Sequence, residues 1–226
     1  MNPTSDAWYH ELALKFQDGS REMFFLDMSR SGRHMPRQAR QPADWTRLAF
    51  HKCPCCPLSQ ESYCPAALSL EETILKLSRR TSTEPVAATA VDSENRRTIV
   101  TWPLQQIGAV FVQIAVFSSG CPVGSRFRPM LRDVRPFSTS RELGKHLVFK
   151  YLVQHKSDPQ ASEQAVLSEL EPLREVFAYL FMRLETVSRD SAKDAIPNSI
   201  AHMHAMTLYL GAKAKELVQE ILQEMR

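Results

Sequence analysis

Five cysteines, and the prolines beside them, constrain the fold of this chain more than any other sequence feature. Cys53, Cys56, Cys64 and Cys121 are each followed directly by proline, whereas Cys55 is not. With 14 prolines in 226 residues, an even distribution would give only about 0.3 such pairs. Proline fixes its own φ and biases the residue before it toward an extended backbone, which can hold a loop open around an ion. The pattern therefore predicts loops that carry metal ligands.

The cellular compartment decides between a disulfide and a metal. The first twelve residues, MNPTSDAWYHEL, lack the basic and apolar regions of an export signal, and no stretch reaches the ~18 apolar residues of a membrane span. We therefore expect a cytoplasmic protein, where structural disulfides are rare. An odd number of cysteines also argues against a framework of structural disulfides and favours metal binding.

The spacing sorts the candidate ligands. Cys53 and Cys56 form a C-x-x-C step, Cys64 follows shortly after, and Cys121 comes from far downstream. Four thiolates can close a tetrahedral structural zinc site, and the same four can hold a [4Fe–4S] cluster, so both cofactors stay open. Cys55 lies inside the step and is expected to point away from the ion.

Periodicity predicts an α+β fold. Residues 11–16 with 22–27, and residues 86–91 with 97–101, alternate in character around turn residues and predict two β-hairpins. Residues 103–117 are apolar on nearly every side, which predicts a helix buried between the hairpins. Capping-box patterns at Ser69-x-x-Glu72 and Thr139-x-x-Glu142 predict the starts of two further helices.

The C-terminal part has a different pattern, which predicts two domains, 1–157 and 158–226. Apolar side chains recur there in alternating steps of four and three, broken at 188–194. This predicts an antiparallel helical hairpin that packs on its own N-terminal domain or forms a homodimer with a second copy. Pro172 is expected to kink the first helix or to mark its true start. The recurring positions are Val166, Leu170, Leu173, Phe177, Leu180, Leu184 and Val187, then Ile196, Ile200, Met203, Thr207, Leu210, Ala214, Leu217 and Ile221.

A basic segment precedes this hairpin. Residues 126–150 hold seven basic and two acidic residues, whereas residues 159–226 hold seven basic and ten acidic ones. The segment predicts an anion-binding surface, which would bind nucleic acid together with a second arginine-rich arm from Arg30 to Arg40. The alternative is that its cations offset the formal −2 charge of a metal ion held by four thiolates. The candidate anion-binding residues are Arg126, Arg128, Arg132 and Arg135.

The cysteine motifs also carry a resemblance. Cys53-Pro-x-Cys56-Pro-Leu58, Tyr63-Cys-Pro-Ala-Ala-Leu68 and Ser119-Gly-Cys-Pro-Val123, followed by Arg128-Pro-Met130, resemble an uncharacterised bacterial family of unknown function over residues 8–155. The resemblance implies that the cysteines belong together, and it implies no activity.

These observations predict a metal-stabilised interaction or regulatory protein, with zinc at Cys53, Cys56, Cys64 and Cys121 and a dimer formed through residues 158–226. A [4Fe–4S] redox or sensor protein and a nucleic-acid-binding protein are the alternatives. Neither a P-loop, nor a nucleophile elbow, nor a dinucleotide fingerprint occurs in the sequence, so whether the protein is an enzyme stays open.

Overall fold

The computed structural model describes residues 9–27, 41–188 and 194–225, which form one four-stranded antiparallel sheet and a set of helices. The strands are β1 (Tyr9–Lys15), β2 (Arg21–Asp27), β3 (Pro85–Asp92) and β4 (Arg97–Pro103). The α-helices are α1 (Pro65–Leu77), α2 (Leu104–Ser118), the single-turn α3 (Met130–Asp133), α4 (Ser140–Gln154), α5 (Pro159–Ser188) and α6 (Ala195–Glu224). The predicted α+β class is confirmed.

Both predicted hairpins form, and they join into a single sheet. The strand order is β2-β1-β3-β4, because β1 of the first hairpin pairs with β3 of the second. His10 lies opposite Asp92 in that pairing. Alternation along the strands places Leu12 and Leu14 on the face that the helices cover. The hairpins thus lie together on one side of the central helix, not on either side of it.

Helix α2 is the centre of the core. It packs against β3 and β4 on one side and against α6 on the other, which explains why it is apolar nearly all round. Phe111 contacts Phe24 of β2, with ring centroids 4.4 Å apart. Gly108 faces α6 so closely that a Cβ there would lie 2.0 Å from the Ser199 hydroxyl oxygen. A side chain at position 108 would therefore force α2 and α6 apart.

The predicted C-terminal helical pair is present. Helices α5 and α6 pack on each other, and the seam side chains that the structure describes are buried. Helix α5 runs through Pro172 without interruption and begins at Pro159, so the expectation that Pro172 marks its true start is wrong. Proline supplies no N–H, so the carbonyl of Ser168 loses its helical partner, which the exposure of Ser168 to water allows.

The pair packs on the rest of its own chain. Helix α6 contacts both α2 and α4, and the apolar core is continuous from the sheet to α6. Ion pairs reinforce the contact with α4: Glu220 accepts from Arg141 at 2.6 Å and from Lys145 at 2.7 Å. The predicted domain boundary falls in the turn between α4 and α5 and stays a prediction.

The two capping-box predictions had different outcomes. The Thr139–Glu142 box is present at the start of α4. Helix α1 begins before Ser69, at Pro65, and the Ser69 hydroxyl donates to the Pro65 carbonyl inside the helix. Proline suits a first helical turn because its missing N–H has no partner there in any case. None of the helices within the described ranges is both long and apolar enough to cross a membrane.

Candidate metal centre

Three parts of the fold bring the five cysteines into one region. Cys53, Cys55 and Cys56 lie in the loop between a short 3-10 turn, Asp44–Thr46, and α1. Cys64 is the residue that caps the start of α1, and Cys121 follows the end of α2. Because α1 packs against α2, the start of one helix and the end of the other can present cysteines to a shared space.

Backbone hydrogen bonds fix the loop that carries the first four cysteines. The N–H of Cys64 donates to the carbonyl of Thr46 at 2.8 Å, which brings the end of the loop back beside its beginning. The N–H of Cys56 donates to the carbonyl of Cys53 at 3.0 Å. This bond closes the C-x-x-C step into a tight turn, and it leaves both side chains on the same short stretch of backbone.

Two glycines shape the Cys121 loop. Gly120 has a φ of +86°, a left-handed conformation that glycine adopts without strain. A Cβ at Gly124 would lie 2.1 Å from the carbonyl oxygen of Val116 in α2, so only glycine allows this close approach. The resulting turn lets the backbone N–H groups of Gly124 and Val123 hydrogen-bond to the Cys121 thiol. Such donors stabilise the thiolate, which is the form that binds metal.

The thiols influence one another electrostatically. Burial is the main reason that the pKa of Cys53 is raised to about 12, and the other four cysteines raise it further. Burial also raises the pKa of Cys121, and Cys64 and Cys56 add to that shift against the two backbone donors. Cys121 therefore lies close enough to the loop cysteines to interact with them electrostatically, despite its distance along the chain.

Cys55 faces helix α5. Its Sγ donates to the carbonyl of Pro172 at 3.6 Å. Its pKa is raised to about 11, first by burial and then by a hydrogen bond with Glu175 and the charge of that carboxylate. These contacts with α5 distinguish Cys55 from the four cysteines that precede prolines.

The described residues do not form a complete set of metal ligands. All five cysteines are free thiols. Among the residues that the structure describes, no three His, Cys, Asp or Glu side chains are grouped closely enough to hold a metal ion. Zinc and [4Fe–4S] at the four cysteines therefore stay predictions.

A buried arginine that the sequence did not single out supports the cysteine loop. Arg183 of α5 is only 1% exposed. Its Nη1 donates to the carbonyls of Trp45 and Arg47 at 2.9 and 2.7 Å, and its Nη2 donates to Leu48 at 3.2 Å. Nothing in the heptad pattern distinguishes this arginine from a solvent-exposed one, because it lies beside the seam positions Leu180 and Leu184.

The four predicted anion-binding arginines have different surroundings. Arg126 lies 3.6 Å from Glu169 of α5, an ion pair that uses an acid of the helical pair. Arg128 and Arg132 also have interaction partners. Arg135 instead lines a separate cavity with residues of the sheet. The Arg30–Arg40 arm lies outside the described residues, so nucleic-acid binding stays a prediction.

Comparison with known proteins identifies a family but no individual relative. No curated protein and no solved structure is detectably similar to the chain. A family model described as a domain of unknown function, DUF6901, matches residues 11–226. The match confirms the resemblance to a family of unknown function and extends it through both C-terminal helices. The chain therefore belongs to the DUF6901 family.

Proposed function

We propose that this protein is a zinc-stabilised interaction or regulatory module whose ion is held by the thiolates of Cys53, Cys56, Cys64 and Cys121. One observation carries the proposal: thiols from two distant stretches of the chain gather in one partly buried region and form no disulfide. In a reducing compartment, structural zinc is the usual reason for such a cluster.

The proposed ion has a structural task. It would connect the loop before α1 to the end of α2, and so close a circuit of chain around the central helix. Binding energy from such a site contributes to folding, with apparent values of about 10–16 kcal/mol in small zinc peptides. The N–H groups that point at Cys121 would help to stabilise a centre with formal charge −2.

The predicted homodimer would have to use outer helix faces, because the heptad seams pack within one chain. Leu167 and Met182 of α5 and Leu208 and Tyr209 of α6 are between 40% and 45% exposed. Light scattering behind size exclusion tests for the dimer, and substituting these side chains with Glu should dissociate it.

Metal analysis of untagged protein, purified without oxygen, tests the zinc centre. We expect one zinc ion per chain and no visible absorption. Cys53→Ser and Cys121→Ser should lose the zinc and unfold at lower temperature. Cys55→Ser is the matched control, because it makes the same chemical change in the same loop at a sulfur that contacts α5, and it should keep the zinc.

Two other results of the metal analysis would change the proposal. A brown protein with iron and labile sulfide would replace zinc with the [4Fe–4S] alternative. Folded protein without metal, whose stability is unchanged by zinc and by Cys53→Ser, would refute a metal centre of either kind.

A further inference from the structure

A small cavity opens at the end of the sheet where β1 begins and β3 ends. It has a volume of about 160 Å³. His10 of β1, Asp92 of β3 and Thr98 of β4 line it from the sheet, and Arg135 reaches it from the segment before α4. Phe137 anchors that segment by packing edge-on against Trp102 of β4, with ring centroids 5.9 Å apart.

The cavity carries excess positive charge. Arg96, Arg97 and Arg135 line it, and Asp92 is the one acidic residue among its described lining. Asp92 is already engaged, because its carboxylate accepts from the Arg96 Nε at 2.6 Å and from two backbone N–H groups of the β3–β4 turn. Within the described part of the chain, Arg97 and Arg135 form no ion pair. Among the described residues, these two positive charges therefore have no counter-charge.

His10 supplies a second, independent sign of a ligand. It is 5% exposed, and its Nδ1 is buried without a hydrogen-bond partner among the described residues. Burial lowers its pKa; Asp92 opposes that shift and Arg96 adds to it. A neutral imidazole has one N–H donor and one acceptor nitrogen. Buried polar atoms are nearly always paired, and His10 lines the cavity, so its unpaired Nδ1 indicates a partner that the described residues do not supply.

We propose that this cavity binds a phosphate group, with Arg97 and Arg135 as its charge partners and His10 as a hydrogen-bond donor. The arginine guanidinium matches phosphate oxygens in a bidentate geometry. The volume of about 160 Å³ lies well below the ~300–1,000 Å³ of pockets that enclose larger ligands. The site therefore fits inorganic phosphate or the phosphate end of a small ester, and it is too small to enclose a nucleotide.

Calorimetric titration with inorganic phosphate and with glycerol 3-phosphate, in phosphate-free buffer at low salt, tests the site. Arg135→Gln and Arg97→Gln should each weaken binding about tenfold or more, as expected for losing one charge-assisted contact. Arg79→Gln is the matched control, because Arg79 is an exposed arginine after α1, beside the Arg80 that contacts the opposite end of the first hairpin. It should change the affinity by less than about twofold.

A second readout does not depend on affinity. Phosphate should shift the ¹⁵N resonances of the His10 imidazole and leave those of the exposed His155 unchanged. Equal affinity for both ligands would identify free phosphate, and tighter binding of the ester would identify a phosphomonoester. The proposal is overturned if 10 mM phosphate gives neither heat nor a His10 shift, or if Arg79→Gln weakens binding as much as Arg135→Gln. Oligonucleotide binding without phosphate binding would also overturn it.

Discussion

Replacing Arg183 with methionine should destabilise the protein by about 3–5 kcal/mol, far more than a charged residue on a helix usually contributes. The side chain makes three charge-assisted hydrogen bonds to backbone carbonyls. At ~1.5–3 kcal/mol each these give roughly 4.5–9 kcal/mol, which the cost of burying the guanidinium offsets by several kcal/mol. Methionine keeps the apolar stem, but it leaves the buried residues Trp45 and Leu48 with carbonyls that have lost their donor.

Urea denaturation followed by circular dichroism measures the effect. Arg174→Met is the matched control, because Arg174 lies on the same helix, is more exposed and pairs with Glu171 one turn away. That variant should lose less than about 1 kcal/mol. If Arg183→Met loses no more than this control, with an unchanged dependence on urea, the structural role assigned to Arg183 is refuted.

Three further changes have expected outcomes. Gly124→Ala should lose about 3 kcal/mol in urea denaturation, because its Cβ would meet a backbone carbonyl that cannot move aside. Gly108→Ala should lose about 1–3 kcal/mol, and adding Ser199→Gly should restore most of it; no recovery would contradict the close contact of α2 with α6. Asp194→Ala should lose about 1–2 kcal/mol at pH 7, because Ser82 donates to that carboxylate from both its N–H and its hydroxyl. These bonds lower the pKa of Asp194 below its ordinary value of 3.8. The contribution of this carboxylate to the free energy of unfolding is therefore complete above pH 3.8, and it should decrease as the pH falls through the lower pKa of the folded state.

The fold was largely predictable because its elements are locally consistent. Alternation of apolar and polar residues predicted four strands in two hairpins, and apolar residues all round predicted the central helix. The pairing of β1 with β3 was not predicted, because strand pairing between hairpins depends on long-range packing that leaves no local pattern. The start of α1 was missed for a different reason. Pro65 offered a first-turn residue, but the capping box at Ser69 was the more conspicuous pattern.

The candidate sites were predictable only where residue type alone indicates chemistry. Cysteine before proline is rare enough to single out a set of residues, and Cys53 and Cys121 of that set interact electrostatically with the others. Among the described residues, however, no three candidate ligands are grouped closely enough to hold a metal ion, so the site itself stays a prediction. Arg183 and His10 carry no such signal, because an arginine on a helix and a histidine in a strand are usually exposed or modestly packed. Their importance comes from burial, which tertiary packing decides. The same holds for Arg135, whose charge was noted but whose cavity is built by strands far away in sequence.

Helix α5 connects the candidate metal centre to the outer surface of the protein. It contacts the cysteine loop at Cys55, through Pro172 and Glu175, and again where Arg183 binds the carbonyls of residues 45, 47 and 48. Pro172 and Arg183 are eleven residues apart, or about 16 Å along the helix, so the loop and the helix support each other over several turns. An ion that fixes the loop would therefore also stabilise the position of α5. Coupling between two binding events is reciprocal. If zinc changes the affinity of the protein for a partner that binds the exposed Leu167 and Met182 of α5, that partner must change the affinity for zinc by the same factor.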